Sequence, residues 1–412
     1  MKRILALTAL AAASSAALAQ SSVTVYGILD GGVSQVTGLK GGTKTYLVSG
    51  IMDGSRLGFR GNEDLGGGYR ALFTMEHRME IDSGGISNRP LSGSQLPDRL
   101  VDANLLHLPS ALQPAVTNVA GLLGNTVGVN LAGNMWDRQV FVGLVTPVGA
   151  VLAGRQYTPA YEASATFDTL GTQSSLAAGQ VAAFPPSIDI RISNSVAYRI
   201  AQGPFTASLM YGLGEGSATT GRLIGGMAMY KTDAFGAGLG YNTRNNENGD
   251  KSLTSMVLGG YFAIGPGTLY GQYGQVKDDH PSGLSGARAA LVANPQLGPV
   301  LGGLVADAFT EALRQDSRLL HAGYKMVMGP HTVYVAASSL NDKRPNNADT
   351  SSYGVAYTYS FSKRTDVNAV LTHFNNKNLG QAAPGQAGFI GGVTEKAGTD
   401  SNSVALGLRH RF

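Results

Sequence analysis

Arginines in alternating segments are the residues of this sequence best placed to do chemistry. Arg56 in SRLGF and Arg191 in IRISN stand on the polar side of segments in which polar and apolar residues alternate, and Arg60 lies four residues along the face of Arg56. Arg138 in DRQVF shares its side with valines, so alternation alone leaves its direction open. Guanidinium groups on one wall of a water-filled passage create a positive field that favours anions. The chemistry these residues offer is therefore the attraction of anions, provided that their segments enclose such a passage.

Motifs for catalysis or metal binding are missing from the sequence. The seven histidines are scattered, with neither an H-x-x-x-H nor an H-E-x-x-H spacing, and no G-x-S-x-G elbow occurs. The zero cysteine count excludes disulfides, thiol catalysis and thiolate metal sites. We therefore expect no enzymatic activity, no cofactor and no metal.

The N-terminal stretch and the composition predict an exported β-protein. MKR gives a positive start, ILALTALAAA a short apolar run and A-L-A a cleavage site, so we expect a signal peptide over residues 1–19 and a mature chain from Gln20. Removing Lys2 and Arg3 lowers the formal charge from +4 to +2, which is too small to predict a nucleic-acid partner. Glycine is about twice as frequent as average and charged residues are scarce, which suits strands in lipid.

The elements that must position the arginines are strands. About sixteen alternating segments recur, paired by short turns and separated by longer connections near residues 34–54, 79–136, 157–188, 276–318 and 375–402. Sorting of loop lengths between two rims is typical of barrels in the outer membrane, whose apolar side chains face lipid. The sequence therefore predicts an all-β fold over residues 20–412: a transmembrane antiparallel β-barrel of 16 strands with short periplasmic turns and long extracellular loops.

Several motifs together resemble one family. SRLGFRGNEDLGGG, GRQYTP, RISNSVAY, YSFSKRTD and the terminal GLRHRF are similar to the general diffusion porins of Gram-negative bacteria, most of all those of β-proteobacteria. The resemblance implies a homotrimer in the outer membrane, in contact with lipid and lipopolysaccharide. It also implies handling by periplasmic chaperones and by the barrel assembly machinery, which reads the C-terminal Phe412.

The resemblance further implies a third long loop, about 157–188, that folds inward and narrows the pore. Its carboxylates, Glu162 and Asp168, are expected to face a basic wall of Arg56, Arg60, Arg138 and Arg191. Arg155 is expected either to latch a loop, as in relatives where it pairs with a neighbouring protomer, or to line the pore. The sequence departs from the family in lacking an acidic PEFGG-like tip, which tilts the expected field toward positive.

Two loop segments are unusually apolar. Residues 103–136 carry no formal charge but are interrupted by prolines, and residues 286–314 contain an apolar stripe at helical spacing. Three arrangements are open: packing on each other or on the rim, entry of one segment into the lumen as a cap, and contact with a neighbouring protomer.

These features predict a water-filled channel for passive diffusion of small hydrophilic solutes and ions, with a mild preference for anions. The alternative is a substrate-restricted channel narrowed by the apolar loop segments.

Overall fold

A computed structural model describes residues 22–182, 188–215, 219–386 and 390–412. The predicted signal peptide, residues 1–19, lies outside the described residues. Over the described ranges the strands are β1 (Ser22–Leu39), β2 (Gly42–Ser49), β3 (Arg56–Gly66), β4 (Tyr69–Arg78), β5 (Gln139–Thr146), β6 (Gly149–Tyr157), β7 (Arg191–Gln202), β8 (Phe205–Gly212), β9 (Leu223–Lys231), β10 (Phe235–Asn245), β11 (Lys251–Ile264), β12 (Gly267–Asp278), β13 (Gln315–Met328), β14 (His331–Asp342), β15 (Thr350–Ser360), β16 (Thr365–Asn376), β17 (Ala382–Gln386), β18 (Ile390–Val393) and β19 (Ser401–Arg411).

The main sheet closes on itself. Its neighbours pair antiparallel in chain order, and β19 pairs with both β16 and β1. Strands β2 and β3 both pair with β1, on either side of an interruption at residues 50–55, so they occupy one position of the barrel. The result is the predicted antiparallel barrel of sixteen strand positions, in which every described strand position has a neighbour on both sides, as lipid requires.

The last strand shows how the pattern of side chains is divided between lipid and lumen. Leu406 and Leu408 are exposed on the outer wall, whereas Arg409 is only 7% exposed. The backbone of Phe412 exchanges hydrogen bonds with Gly27, with N···O distances of 3.1 and 3.0 Å. A Cβ on Gly27 would lie 2.4 Å from the Phe412 ring, so the glycine makes room for this aromatic ring at the seam, the place where β19 pairs with β1 and closes the barrel.

The predicted loop over 34–54 is wrong. Strand β1 continues to Leu39, and after a two-residue turn β2 returns beside it. The polar–apolar alternation that predicts a strand is absent here, because both faces of these strands are apolar. Leu47 on the outer face is 64% exposed, whereas Val36 and Val48 on the inner face are buried inside the barrel. The inward side chains pack on loops instead of facing water, so the usual polar parity is absent.

The helices lie in the long connections. They are α1 (Gln113–Gly124), α2 (Pro159–Phe167), α3 (Ser285–Val292) and α4 (Gly298–Leu313). Within the described ranges, no helix is long and apolar enough to cross a bilayer.

The two apolar loop segments pack on each other, which is the first of the three expected arrangements. Leu100, Leu112 and Val116 share one buried cluster with Val305 and Phe309. We call these residues and their buried neighbours the loop cluster. It gives both segments the apolar contact that neither finds alone.

A carboxylate outside the membrane fastens the loop over residues 279–314. Glu247 accepts hydrogen bonds from the backbone N–H groups of Gly283, at 3.0 and 2.9 Å, and Ser285, at 3.1 Å. Burial raises the pKa of Glu247, but these donors outweigh burial and lower the pKa from 4.5 to about 2. The stabilisation of the loop by ionised Glu247 is therefore complete above pH 4.5, and it is lost as the pH falls from 4.5 toward 2.

We expect limited proteolysis of residues 279–314 to accelerate as the pH falls through this window. The Glu247→Gln variant should be cut faster at neutral pH and should show a flatter pH profile. Equal pH profiles for the two proteins would contradict the role assigned to this carboxylate.

Candidate pore constriction

The described parts of the connection between β6 and β7, residues 158–182 and 188–190, lie against the inside of the barrel, and we call them the inner loop. Its helix α2 contacts β9, β10 and β11. Glycines on the wall permit this approach: a Cβ on Gly240 would lie 2.7 Å from the Cβ of Ala163, and one on Gly259 would lie 2.5 Å from the Cβ of Phe167. A larger residue at either glycine would push the helix into the lumen.

Hydrogen bonds attach the inner loop to two further strands of the wall, β13 and β16. Thr169 contacts Nε2 of His321 through its backbone N–H, at 3.1 Å, and its hydroxyl, at 2.9 Å. The hydroxyl of Ser175 lies 2.8 Å from that of Thr372. The described part of the loop is therefore fixed along the inner face from β9 to β16.

On the wall formed by β3, β4 and β5, Glu76 joins two of the predicted arginines. Its Oε1 lies 3.0 Å from Nε of Arg56 and 3.2 Å from Nε of Arg138. Gln139 donates to the other carboxylate oxygen at 3.4 Å. Glu76 and Arg138 are only 4% and 5% exposed, so this is a nearly desolvated charge group in which one carboxylate serves two guanidiniums.

Tyr157 adds the third arginine. Its hydroxyl accepts hydrogen bonds from Nη2 of Arg138 and of Arg191, both at 3.0 Å. The Arg191 guanidinium also lies over the Tyr157 ring, 4.6 Å from its centroid, a cation–π geometry. Stacking of Tyr157 on Tyr161 of the inner loop, with centroids 4.9 Å apart, ties the wall to the loop. We call Arg56, Arg138, Arg191, Glu76 and Tyr157 the arginine cluster.

Local irregularities in the strands set this geometry. The pairing of β6 with β7 shifts register between Gly154 and Gln156, and opposite it Asn194 has a φ of 54°. A bulge of this kind re-aims the side chains beyond it. Tyr157 and Arg191, which are cross-strand partners above the bulge, thereby meet beside Arg138.

Arg60 lies outside the arginine cluster, nearer the rim with the short turns. It pairs in register with Thr24 and Thr74, and its guanidinium lies 5.1 Å from the centre of the Tyr26 ring. Among the described residues, the ion pairs do not include Arg60. Its charge is therefore open to the lumen.

The two carboxylates predicted to face the arginines are placed elsewhere. Glu162 forms an ion pair with Arg199 on β7, at 2.7 Å, and burial raises the pKa of its carboxyl although Arg199 opposes the shift. Asp168 is 2% exposed and accepts hydrogen bonds from the backbone N–H groups of Leu170, at 2.8 Å, and Ala178, at 2.7 Å. It organises the inner loop from within.

Arg155 bonds to neighbouring segments of its own chain. Its Nε donates to the Asp137 carbonyl at 2.6 Å, and its Nη1 donates to the Ser193 hydroxyl at 2.9 Å. The structure therefore does not bring it into the arginine cluster.

Two members of the cluster were missed in the sequence. Glu76 stands on the polar side of YRALFTMEHR, with Arg70 and Thr74, so its direction could have been predicted but its partners could not. Tyr157 ends a strand at the register shift and gives no local signal. Within the described ranges, no group of three or more His, Asp or Glu side chains is placed to hold a metal ion.

Loops also meet inside the wide mouth, at the rim opposite the short turns. The β17–β18 hairpin is bonded to the inner loop through Gln180, which donates to the Gln386 carbonyl at 2.7 Å. It is bonded to the connection over residues 79–138 through Ser92, which accepts from the Val393 N–H at 3.0 Å. Ala383 of the hairpin belongs to a buried apolar cluster with residues of the barrel wall, which include Val36, Ala336, Ala356, Val370 and Ala405.

Comparisons with known proteins agree with this architecture. A family model described as Gram-negative porin matches residues 6–379. The chain is 26% identical over 432 residues to outer membrane porin protein 32 of Delftia acidovorans, with 100% of both chains covered. It is 23% identical over 453 residues to an outer membrane porin protein of Bordetella pertussis, again with 100% of both covered. The solved anion-selective porin from Comamonas acidovorans superposes with a TM-score of 0.70 at 22% identity, covering 95% of this chain and 100% of that one.

Proposed function

We propose, from the premise that the chain belongs to the Gram-negative porin family, that its channel passes small hydrophilic solutes by passive diffusion and prefers anions. As a member of this family the protein is an outer-membrane channel and not an enzyme. The preference for anions, the solute class and the oligomeric state are the parts proposed here.

The observation that carries the anion preference is the charge balance of the arginine cluster. Arg56, Arg138 and Arg191 contribute three positive charges, and among the described residues Glu76 is the carboxylate that pairs with two of them. A net positive charge beside a narrow aqueous path attracts anions and repels cations. Asp53 lies 3.7 Å from Arg56 but is shared with Arg409 at 2.6 Å, so it offsets the cluster only in part.

The inner loop adds little free carboxylate to balance the cluster. The Glu162 carboxylate is matched by Arg199, and the Asp168 carboxylate is used by backbone N–H groups. Anion selectivity is also named for the Comamonas porin of similar fold. For this chain we propose Arg56, Arg138 and Arg191 as the selectivity residues and Arg60 as a further basic station.

We expect purified protein in a planar bilayer to give a reversal potential of the sign set by chloride in a KCl gradient. The preference should weaken as salt is raised, because the Debye length shrinks from about 10 Å at 0.1 M to about 3 Å at 1 M. A cation-signed potential at low salt would overturn the proposed selectivity.

We also propose a homotrimer, assembled with the help of the C-terminal Phe412 after removal of residues 1–19. The resemblance to porins supports the trimer. Mass measurement of the unheated protein in detergent tests it. Phe412→Ala should lower the yield of barrel in the membrane, because Phe412 also packs on Gly27 at the seam.

A second candidate function, a substrate-restricted channel, is favoured by the contacts inside the wide mouth. The β17–β18 hairpin is held there by Gln180 of the inner loop and by Ser92. Both contacts anchor polypeptide within the opening, where it reduces the cross-section available to solute.

Replacing residues 382–393 by a short Gly-Ser linker should raise single-channel conductance by about twofold, because the current scales with the open cross-section. A matched deletion of residues 286–314 should raise it less, because those residues pack on the connection over residues 79–138. Unchanged conductance in both variants would leave only the open diffusion channel.

A further inference from the structure

An apolar strip lines the lumen below the arginine cluster, toward the short turns. Leu72, Phe141 and Leu152 lie on the inner wall of three successive strands, in a hollow of about 460 Å³. Register shows that they face inward, because Thr74, on the same side of β4 as Glu76, pairs with Phe141, and Leu72 pairs with Gly143.

The strip is a packed surface. A Cβ on Gly143 would lie 2.3 Å from Cδ2 of Leu152 and 3.0 Å from Cδ1 of Leu72, so the glycine lets the two leucines close over it. The lumen of a porin is ordinarily polar. Leu152 is only 7% exposed, so the half-buried side chains of Leu72 and Phe141 give the patch its water-facing surface, which burial against a solute would stabilise.

Two arginines flank the strip. Arg60 pairs in register with Thr74 on β4, and Arg70 lies four residues from Thr74 on that strand, about 13 Å away at the usual rise per residue. Both arginines are exposed, and both line the hollow. Among the described residues neither belongs to the ion pairs. Asp64 is the cross-strand partner of Arg70 on β3, and its carboxylate accepts a hydrogen bond from the Gly66 N–H at 2.9 Å.

We propose that this site binds carboxylates that carry an apolar body, such as an aromatic ring, as they pass through the channel. A guanidinium holds the carboxylate with paired hydrogen bonds, and the strip of Leu72, Phe141 and Leu152 covers the apolar body. Inorganic anions and short carboxylates contact only the guanidinium, because they have no apolar body to cover. The inference rests on the proposed anion preference and adds a solute class to it.

The test uses benzoate and acetate as probes of the chloride current through the whole protein in a planar bilayer. Benzoate should halve the current at a concentration about tenfold below that of acetate, the factor given by roughly 55 Å² of apolar surface leaving water. Phe141→Ser should abolish most of this difference while leaving the acetate response unchanged. Leu72→Thr, at a half-buried position, is a second variant with the same expected result.

Charge is tested separately. Arg70→Gln should weaken the response to both probes, whereas Lys325→Gln, which removes a lumen cation near Tyr334 on another wall, should weaken neither. Equal potency of benzoate and acetate in the unmodified protein would overturn the proposal, as would equal effects of Arg70→Gln and Lys325→Gln. The reversal potential in KCl, recorded in the same membranes, shows independently whether the anion preference itself holds.

Discussion

Replacing Arg56, Arg138 and Arg191 together by glutamine is expected to turn the anion preference of the channel into a cation preference. The substitution removes three positive charges from the wall and leaves Glu76, so the cluster changes from net positive to net negative. The reversal potential in a dilute KCl gradient should change sign.

The size of the effect follows from simple electrostatics. A unit charge about 8 Å from a permeating ion in water contributes about 0.5 kcal/mol, so three contribute about 1.5 kcal/mol, with opposite signs for anion and cation. Screening over about one Debye length reduces this roughly threefold. The ratio of anion to cation permeability should therefore fall about sixfold at physiological salt, and further in dilute salt.

A matched control removes the same formal charge elsewhere. Arg288, Arg314 and Arg318 are exposed or partly exposed residues of the wide-mouth loop over 279–314 and the adjoining end of β13. Their combined replacement by glutamine should shift the ratio much less. If both triple variants shifted it equally, overall charge and not the arginine cluster would control selectivity.

The second large effect is expected from Asp366→Asn, which breaks a charge network between β16 and β19, next to the seam where β19 meets β1. Asp366 accepts hydrogen bonds from Arg409 Nε and Nη2, both at 3.1 Å, and from Arg411 Nη1 at 2.8 Å. Asp366 is 3% exposed and Arg409 7%, so a neutral side chain would leave a nearly buried guanidinium short of a partner. Asp53, 2.6 Å from Arg409, compensates in part.

We expect this substitution to reduce the free energy of unfolding by about 3 kcal/mol, the lower end of the range for breaking a buried pair. Equilibrium denaturation of the folded barrel in detergent, followed by circular dichroism, would measure it. The exposed ion pair of Arg288 with Asp307 is the matched control, and Asp307→Asn should cost at most about 1 kcal/mol. Similar losses in the two variants would contradict a special role for this network.

Much of the architecture could be predicted because the alternation of side chains is local. In the last strand, Leu406 and Leu408 alternate with Arg409, and the environment on each side of the wall fixes which group faces lipid. The same pattern failed in β2, where Val48 faces inward against loops instead of water. Alternation predicts a strand only when its two faces meet different solvents.

Partners within the site could not be predicted in the same way. Glu76 bridges Arg56, the first residue of β3, and Arg138, which directly precedes β5. The two strands flank β4 in the barrel, but the arginines lie twenty and sixty-two residues from Glu76 in the chain. The ion-pair partner of Glu162 could not be predicted either, because the path of the inner loop is what brings Glu162 to Arg199 on β7.

The sequence by itself determined the antiparallel barrel, its lipid-facing surface and the arginines on the polar side of its strands. These follow from a two-residue period and from the aversion of charged groups to lipid, both properties of short segments. Only the tertiary structure decided which charges pair, how the loops fill the mouth, and that Leu72, Phe141 and Leu152 meet beside exposed arginines. Those arrangements depend on strand register and on bulges, which join residues far apart in the chain and leave no periodic trace in it.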